Sequence, residues 1–374
     1  MLILFELIVL LSCVNCLSFT GDYTSNLRTN DSLCLNPPPL CTCNDDVYSC
    51  SLVNSQDKAV IKIYYNNEWI VFQCLNLSSF ETAPDLTNYI NITDIRISKC
   101  MLSNRNTLIK LTSKISKQVK DLSMSFTVKE KLTLNKTAFE GFSKLQHLKI
   151  QFNSFRSMQI SNDVFEHLVN LKKLTLVSVQ TPNGLFDPLK HLQILSIKSN
   201  QMKLEIDIFK NQRNLIELNF YCEMNCSMDP FIFANITNLE DLEIIGNFSM
   251  NPENVLKNNE KLKSFKLSFS FQRHQFTQKL LAQKNHLRYV DFNHNNLETL
   301  PIDIFKNLSN IDKIILSSNQ LITLSNDLFM DQTMLSELDL GYNNLTELHD
   351  GLFETTKNIK ILILTSNLLT NISR

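Results

Sequence analysis

Four stretches near the end of the chain superimpose without gaps: LRYVDFNHNNLETL from Leu287, IDKIILSSNQLITL from Ile311, LSELDLGYNNLTEL from Leu335 and IKILILTSNLLTNI from Ile359, with starts 24 residues apart. Each reads L-x-x-L-x-L-x-x-N-x-L, with Ile, Val or, at Phe292, Phe standing for Leu. A repeat of this length cannot bury its apolar side alone. It must stack on the next copy, so the chain is constrained to a solenoid. Earlier starts fall at Leu262, Leu239, Leu215, Leu192, Leu171 and Leu145, where the spacing drifts between 21 and 26 residues. Two weaker copies begin at Val119 and Ile92, giving about twelve repeats in all.

The pattern is that of the leucine-rich repeat. It predicts a horseshoe-shaped solenoid with one short strand per repeat in a parallel β-sheet on the concave face, and irregular or short helical segments on the convex side. Asn153, Asn200, Asn247, Asn295, Asn319, Asn343 and Asn367 take the ninth position of seven repeats. An amide there can donate and accept at once, satisfying backbone groups where the chain leaves the sheet. Phe165, Phe186, Phe209, Phe233, Phe305, Phe329 and Phe353 recur on the return path as a Phe spine. The 24 Phe against one Trp read as core rather than as a stacking surface.

The first 16 residues, MLILFELIVLLSCVNC, carry an apolar run from Leu2 to Leu11 and read as a secretory signal peptide, atypical in having Glu6 and no Lys or Arg. No later stretch is apolar for about 20 residues, the length a membrane span needs. Residues 17–91 form a Cys-rich N-terminal cap with its following segment, and 92–374 the repeats, the last incomplete. Outside the leader, eight cysteines remain, an even number as expected on a secretory route. Cys34, Cys41, Cys43 and Cys50 are spaced C-x6-C-x-C-x6-C. A solenoid end exposes one layer of core, and a short segment covering it is typically stapled by disulfides. A four-Cys zinc site is the rival reading, and spacing alone does not give the pairing. Cys222 and Cys226 interrupt one repeat and are expected to form a local disulfide closing a small projecting loop. Free thiols or longer-range pairing are the alternatives.

A formal net charge of −1 offers no sustained basic stripe of the kind nucleic acid requires. Catalytic patterns are also missing. The six glycines are never closer than ten residues, which precludes G-x-G-x-x-G, a P-loop and G-x-S-x-G, and no H-E-x-x-H occurs. The chain therefore reads as a non-enzyme with no catalytic, cofactor-binding or metal-ligating residues. His147, His191 and His286 lie at or beside repeat starts, where a solvated or capping role is expected.

Recognition on the concave face is the remaining possibility. The variable positions of L-x-x-L-x-L-x-x give Lys149, Lys172, Lys173 and Lys198, then Glu217, Glu240, Asp241 and Glu243, then Lys263, Lys266 and Arg288. Basic, acidic and again basic blocks along one face could steer a partner and fix its register. Phe152, Tyr221, Phe269, Tyr289 and Tyr342 are candidate aromatic anchors on the same face. Ten N-x-S/T sequons occur, and none falls at a concave position. Asn30, Asn76, Asn91, Asn135, Asn225, Asn235, Asn307, Asn344 and Asn371 are candidate glycosylation sites, whereas Asn247, at a ladder position, is expected to be buried and unmodified.

The C-x6-C-x-C-x6-C cap, the segment Phe72-Gln73-Cys74-Leu75-Asn76-Leu77, the run Ile95-Arg96-Ile97-Ser98-Lys99-Cys100-Met101-Leu102 and late repeats such as Thr365-Ser366-Asn367-Leu368-Leu369-Thr370 resemble the N-terminal ectodomain of arthropod Toll receptors, in the Toll-like receptor family. The resemblance runs from about Cys34 to the end. It implies pairing of Cys34 with Cys43, Cys41 with Cys50 and Cys74 with Cys100. It further implies an extracellular receptor ectodomain that binds a dimeric cystine-knot cytokine of the Spätzle type on its cap and concave face and signals by receptor dimerisation. The chain stops within a repeat, without a Cys-rich closing cap, membrane helix or TIR domain, so the expectation is a fragment of a longer receptor. A secreted adhesion, matrix or decoy protein is the alternative.

Overall fold

The computed structural model describes residues 41–44, 47–54, 59–65, 68–75, 92–101, 116–127, 132–153, 158–249, 252–268 and 276–370. The predicted leader 1–16, Cys34, Asn30, Asn76, Asn91, Phe269 and Asn371 lie outside them, as do the side chains of Cys41, Cys43, Cys50, Cys74 and Asn225. The chain divides into two compact units, the first ending at Leu189 and the second beginning at Lys190.

In the first unit, β1 (Cys41–Asn44), β2 (Val47–Asn54), β3 (Ala59–Tyr65) and β4 (Trp69–Leu75) make an antiparallel run. β4 then pairs parallel with β5 (Asp94–Met101), which continues through β6 (Asp121–Thr127), the short β7 (Leu132–Leu134), β8 (His147–Phe152), β9 (Met158–Ile160) and β10 (Lys173–Val177). The sheet order is β4-β5-β6-β8-β10, while β7 and β9 form a separate parallel pair. The second unit is parallel throughout: β11 (Ile194–Leu204), β12 (Glu217–Met228), β13 (Asp241–Ser249), β14 (Ser264–Ser268), β15 (Tyr289–Asp291), β16 (Lys313–Ile315), β17 (Glu337–Asp339) and β18 (Ile361–Ile363). The fold is a parallel β-sheet solenoid with little helix, the architecture expected from the repeat.

Each of the twelve repeat starts lies two residues before a strand. The start residue is itself buried, as at Leu145, Leu171, Leu215 and Leu287, except Ile359, which is half-buried. Strand alternation then sends the next two apolar positions inward, Leu218 and Phe220 in β12 and Leu242 and Ile244 in β13, all within 1 % of full burial. Each such side chain contributes about 1.5–3 kcal/mol by leaving water. Entry to each strand is fixed by a shared acceptor. Lys172 and Lys173 N–H both donate to the Gln146 carbonyl at 2.8 and 2.9 Å, and Glu240 and Asp241 repeat the arrangement on Ile216.

The Phe spine gains Phe139, whose ring lies 6.1 Å from Phe165, and gives way to Leu256 and Leu281 between Phe233 and Phe305. In the second unit Phe209 stacks on Phe233 at 6.4 Å, and Phe305, Phe329 and Phe353 follow at 5.9 and 6.5 Å. Spacings of this size suit offset aromatic pairs.

The amide ladder is shorter than the motif implies. Asn295, Asn319, Asn343 and Asn367 form it: Asn319 Nδ2 donates to the Phe292 and Leu316 carbonyls at 2.8 and 3.0 Å, and its Oδ1 accepts from Asn295 and Leu297 N–H. Asn343 and Asn367 repeat this on the neighbouring turns. Asn153 is instead exposed, and Asn200 and Asn247 are half-buried, so Asn247 is not the buried ladder residue expected from its position. The reason is strand length. β11, β12 and β13 run on for 11, 12 and 9 residues, and pairs such as Gln201 with Asn225 and Cys226 with Phe248 continue the backbone ladder past the turn position. Backbone pairing there replaces what the side-chain amide would supply.

Two further polar lines hold repeat to repeat. On the return path Asn259 Nδ2 donates to the Phe233 and Ile236 carbonyls at 3.2 and 2.7 Å, and Gln332 Nε2 donates to Phe305 at 2.6 Å. Just before the strands, Asn170, Asn214, Asn238, Asn310 and Asn358 each donate to a carbonyl of the previous turn at 2.7 to 2.9 Å.

Candidate ligand-binding face

Residues two, four and six places after each start point away from the core, so the sheet presents an ordered array of side chains to solvent. In the second unit that array is mostly satisfied from within. Tyr221 on β12 donates its hydroxyl to Glu243 on β13, and Glu243 pairs with Lys266 on β14 at 3.1 Å. Lys266 also faces Asp291 on β15 at 3.8 Å, and Asp291 accepts from the Tyr289 hydroxyl at 3.0 Å. This rail of tyrosine, carboxylate, ammonium, carboxylate and tyrosine crosses four strands. Burial first, and then the adjoining carboxylate, pushes both tyrosine hydroxyls well above their usual range, so both remain protonated donors.

Three more cations on this face or at its strand entries are also engaged. Lys263 meets Glu240 at 2.6 Å, Lys198 meets Glu223 at 3.4 Å, and Lys313 meets Glu337 at 2.7 Å while lying 5.9 Å over the Tyr289 ring. The expected acidic and second basic blocks therefore knit together laterally, a consequence of stacking residues that are about 24 apart in sequence. Glu217 and Asp241 are direct register neighbours. Burial, then Glu217 and Glu240, raise the Asp241 carboxyl above the ordinary carboxylate range.

The first unit differs. β5, β6, β8 and β10 place Asp94, Asp121, His147 and Lys173 in one row and Arg96, Ser123, Lys149 and Thr175 in the next. Arg96 holds Asp94 through Nη2 at 2.6 Å and Nε at 3.1 Å, and His147 Nδ1 holds Asp121. These residues, with the strand stretches that carry the buried Leu122 and Leu148, line a depression of about 210 Å³. Lys149, Lys172 and Lys173 are exposed and, among the described residues, have no carboxylate partner.

Among the candidate residues, Lys149, Lys173, Lys198, Glu217, Tyr221, Asp241, Glu243 and Lys266 hold places of this array and are exposed or half-buried, while Lys172, Glu240 and Lys263 are accessible at the strand entries. Phe152 is not: it is 1 % exposed and stacks on Phe126 at 6.5 Å, because β8 keeps its alternation one step beyond the motif and turns that ring inward. Tyr342 is 64 % exposed. Asp94, Arg96, Asp121 and Lys313 belong to the face but were passed over. Three of them sit in the two weakest repeats, though the places after Ile92 and Val119 would have found them.

Cys222 and Cys226 form the expected disulfide, with Cα atoms 6.3 Å apart and both side chains buried. The pair closes a bulge in β12 that carries exposed Glu223 and Met224 outward. Cys100 is buried and disulfide-bonded. Among the described residues no helix is long and apolar enough to cross a membrane.

The leucine rich repeat family pattern matches residues 285–345, and the BspA type leucine rich repeat region matches 115–228 and 180–296. No curated protein matches the chain in sequence. Among solved structures, the Toll–Spätzle complex of Drosophila aligns with a TM-score of 0.63 at 20 % identity over 88 % of this chain and 48 % of that one. A TLR13–ssRNA13 complex aligns at 0.62 and 23 % identity over 75 % and 40 %. An internalin of Listeria monocytogenes aligns at 0.55 and 17 % identity over 82 % and 85 %. The chain thus spans about half the length of the Toll chain it matches. With twelve strands in the predicted frame and these likenesses, the chain is a leucine-rich-repeat protein structurally similar to Toll and Toll-like receptor ectodomains.

Proposed function

We propose that this chain is the ligand-binding part of an extracellular Toll-type receptor and recognises a protein ligand, a dimeric cystine-knot cytokine of the Spätzle kind, on the solvent-facing side of its sheet. The carrying observation is the rail from Tyr221 to Tyr289. It holds aromatic and charged groups in fixed positions before any partner arrives, which lowers the ordering cost of binding. An antiparallel cap leading into the parallel sheet supports the receptor reading, as does the likeness to the Toll chain. In the cap, β1 and β2 set Cys41 opposite Cys50, which supports their pairing. The remaining pairs, Cys34–Cys43 and Cys74–Cys100, belong to the same reading. Glycans on exposed Asn235, Asn307 and Asn344 would leave the sheet face clear. Receptor pairing on ligand binding would then carry the signal.

The test is surface plasmon resonance of the purified, folded chain against recombinant cystine-knot cytokines from the same source. Saturable binding that weakens about tenfold on Tyr221→Ala, the size of loss typical of a buried aromatic anchor, is expected. Absence of binding to every such cytokine would sink the reading. A second reading, a secreted adhesion or decoy protein, is favoured by the internalin likeness, which covers most of both chains.

A further inference from the structure

The two units treat their surface charge differently, and the first unit's depression is where a charge is left over. In the second unit Lys198, Lys263, Lys266 and Lys313 each have a carboxylate within 4 Å, on the face or at a strand entry. In the first, both carboxylates of the depression are already engaged, Asp94 by Arg96 and Asp121 by His147. Lys149 stands between the hydroxyl positions Ser123 and Thr175 in register, and Lys173, on the neighbouring strand, stands beside His147. Lys120 and Lys172, exposed at the strand entries, add to the positive field, and Glu68 lies one strand beyond Asp94.

From this we propose that the depression docks an acidic side chain of a protein partner, its carboxylate clamped between Lys149 and Lys173. The proposal rests on the recognition reading above and gives that face one of its contacts. Three features select a protein carboxylate. The aliphatic stems of Arg96, Lys149 and Lys173, which line the depression, suit the methylene stem of a glutamate. Two ammonium groups and two hydroxyl positions can supply donors to both carboxylate oxygens. Asp94 and Asp121, fixed in the same depression, would repel the next phosphate of a nucleic acid but can accept hydrogen bonds from donors flanking a peptide's glutamate. The site therefore reads one anion set among donors, not a polyanion.

The experiment uses the full chain, a fluorescent peptide of alternating Glu and Ala, and poly-U RNA as the competing class, at low salt where surface charge is least screened. Peptide affinity should fall about fivefold or more in the K149Q/K173Q double variant and less than about twofold in K203Q/K279Q, whose lysines pair with Glu205 and Glu253 outside the rail and the depression, the sizes expected for free and for internally paired surface charges. Both lysines are exposed, so unchanged melting is expected of the variant. Acetylation footprinting of the unaltered chain gives the same answer without mutation: the peptide should slow modification of Lys149 and Lys173 and spare Lys306. Equal affinity in both double variants, or no protection of the two lysines, overturns the proposal. Tighter poly-U binding that depends on the same lysines also overturns it, and makes the face a nucleic-acid surface. A cystine-knot ligand that binds K149Q/K173Q as well as the parent would leave the recognition reading standing while this contact falls.

Discussion

Asn319 shows how much one side chain can carry in a stack. Its amide serves two backbone N–H groups and two carbonyls, all shielded from water. Asn319→Ala would orphan several of these at once, so a loss of about 3 kcal/mol in urea unfolding is expected, and less than about 1 kcal/mol would show that the groups re-pair. Lys284 is the opposite case. It is 2 % exposed at a place where other repeats bury Gln212, Asn259, Gln332 or Thr356, and its ammonium donates to the Ala282 carbonyl at 2.9 Å. Burial lowers its pKa, partly offset by Glu260. The folded state therefore gives up this proton before the unfolded chain does, whose lysine titrates near about 10.4. Below the folded value the penalty is present in full. Between the two values the unfolded state binds more protons, so stability rises with pH. Lys284→Gln should stabilise by about 1 kcal/mol at neutral pH. That gain should shrink as pH climbs toward the unfolded value, as thermal melts across the range would show; a gain that grows with pH would contradict the assignment.

At the scale of the element, the Cys222–Cys226 loop and β13 are fitted to each other. Gly246 lies opposite Cys222 at φ +119°, and a Cβ there would fall 1.7 Å from the Cys222 carbonyl oxygen. The bulge needs that close approach, so Gly246→Ala combines a backbone conformation that L side chains rarely adopt with a direct clash. A loss of about 3 kcal/mol or more is expected in denaturant unfolding. Near-native stability would mean that β12 can retreat from its neighbour. This fit was not legible in the sequence, where Gly246 is one of six scattered glycines. The disulfide was, because two cysteines four apart broke an otherwise regular repeat.

For the whole molecule, the repeat frame was legible wherever Leu or Ile held the start, since burial of that residue and strand alternation together set where each strand begins. What the frame could not reveal was where a strand stops. Asn200 and Asn247 match the motif, yet strands that run on leave no turn for them to cap, and Phe152 was misplaced for the same reason. The lateral charge pairs were hidden because they join residues a full repeat apart. Aligning the repeats sets Lys266 beside Glu243, but whether the two side chains reach each other depends on stacking. The asparagines at 170, 214, 238, 310 and 358 were visible as a residue type just before five of the starts, and passed unnoticed because that place lies outside the motif. Their bonds, with those of the inner ladder, tie each turn to its neighbour at a separation of about one repeat. Between Leu287 and Asn367, an inserted or duplicated segment of one whole repeat would find every partner in place, whereas an insertion of two or three residues would strand an amide on each side. Heritable changes of length in this stretch are therefore expected to come in units of one turn, and smaller ones to collect where the chain already departs from the frame, at the disulfide-closed bulge.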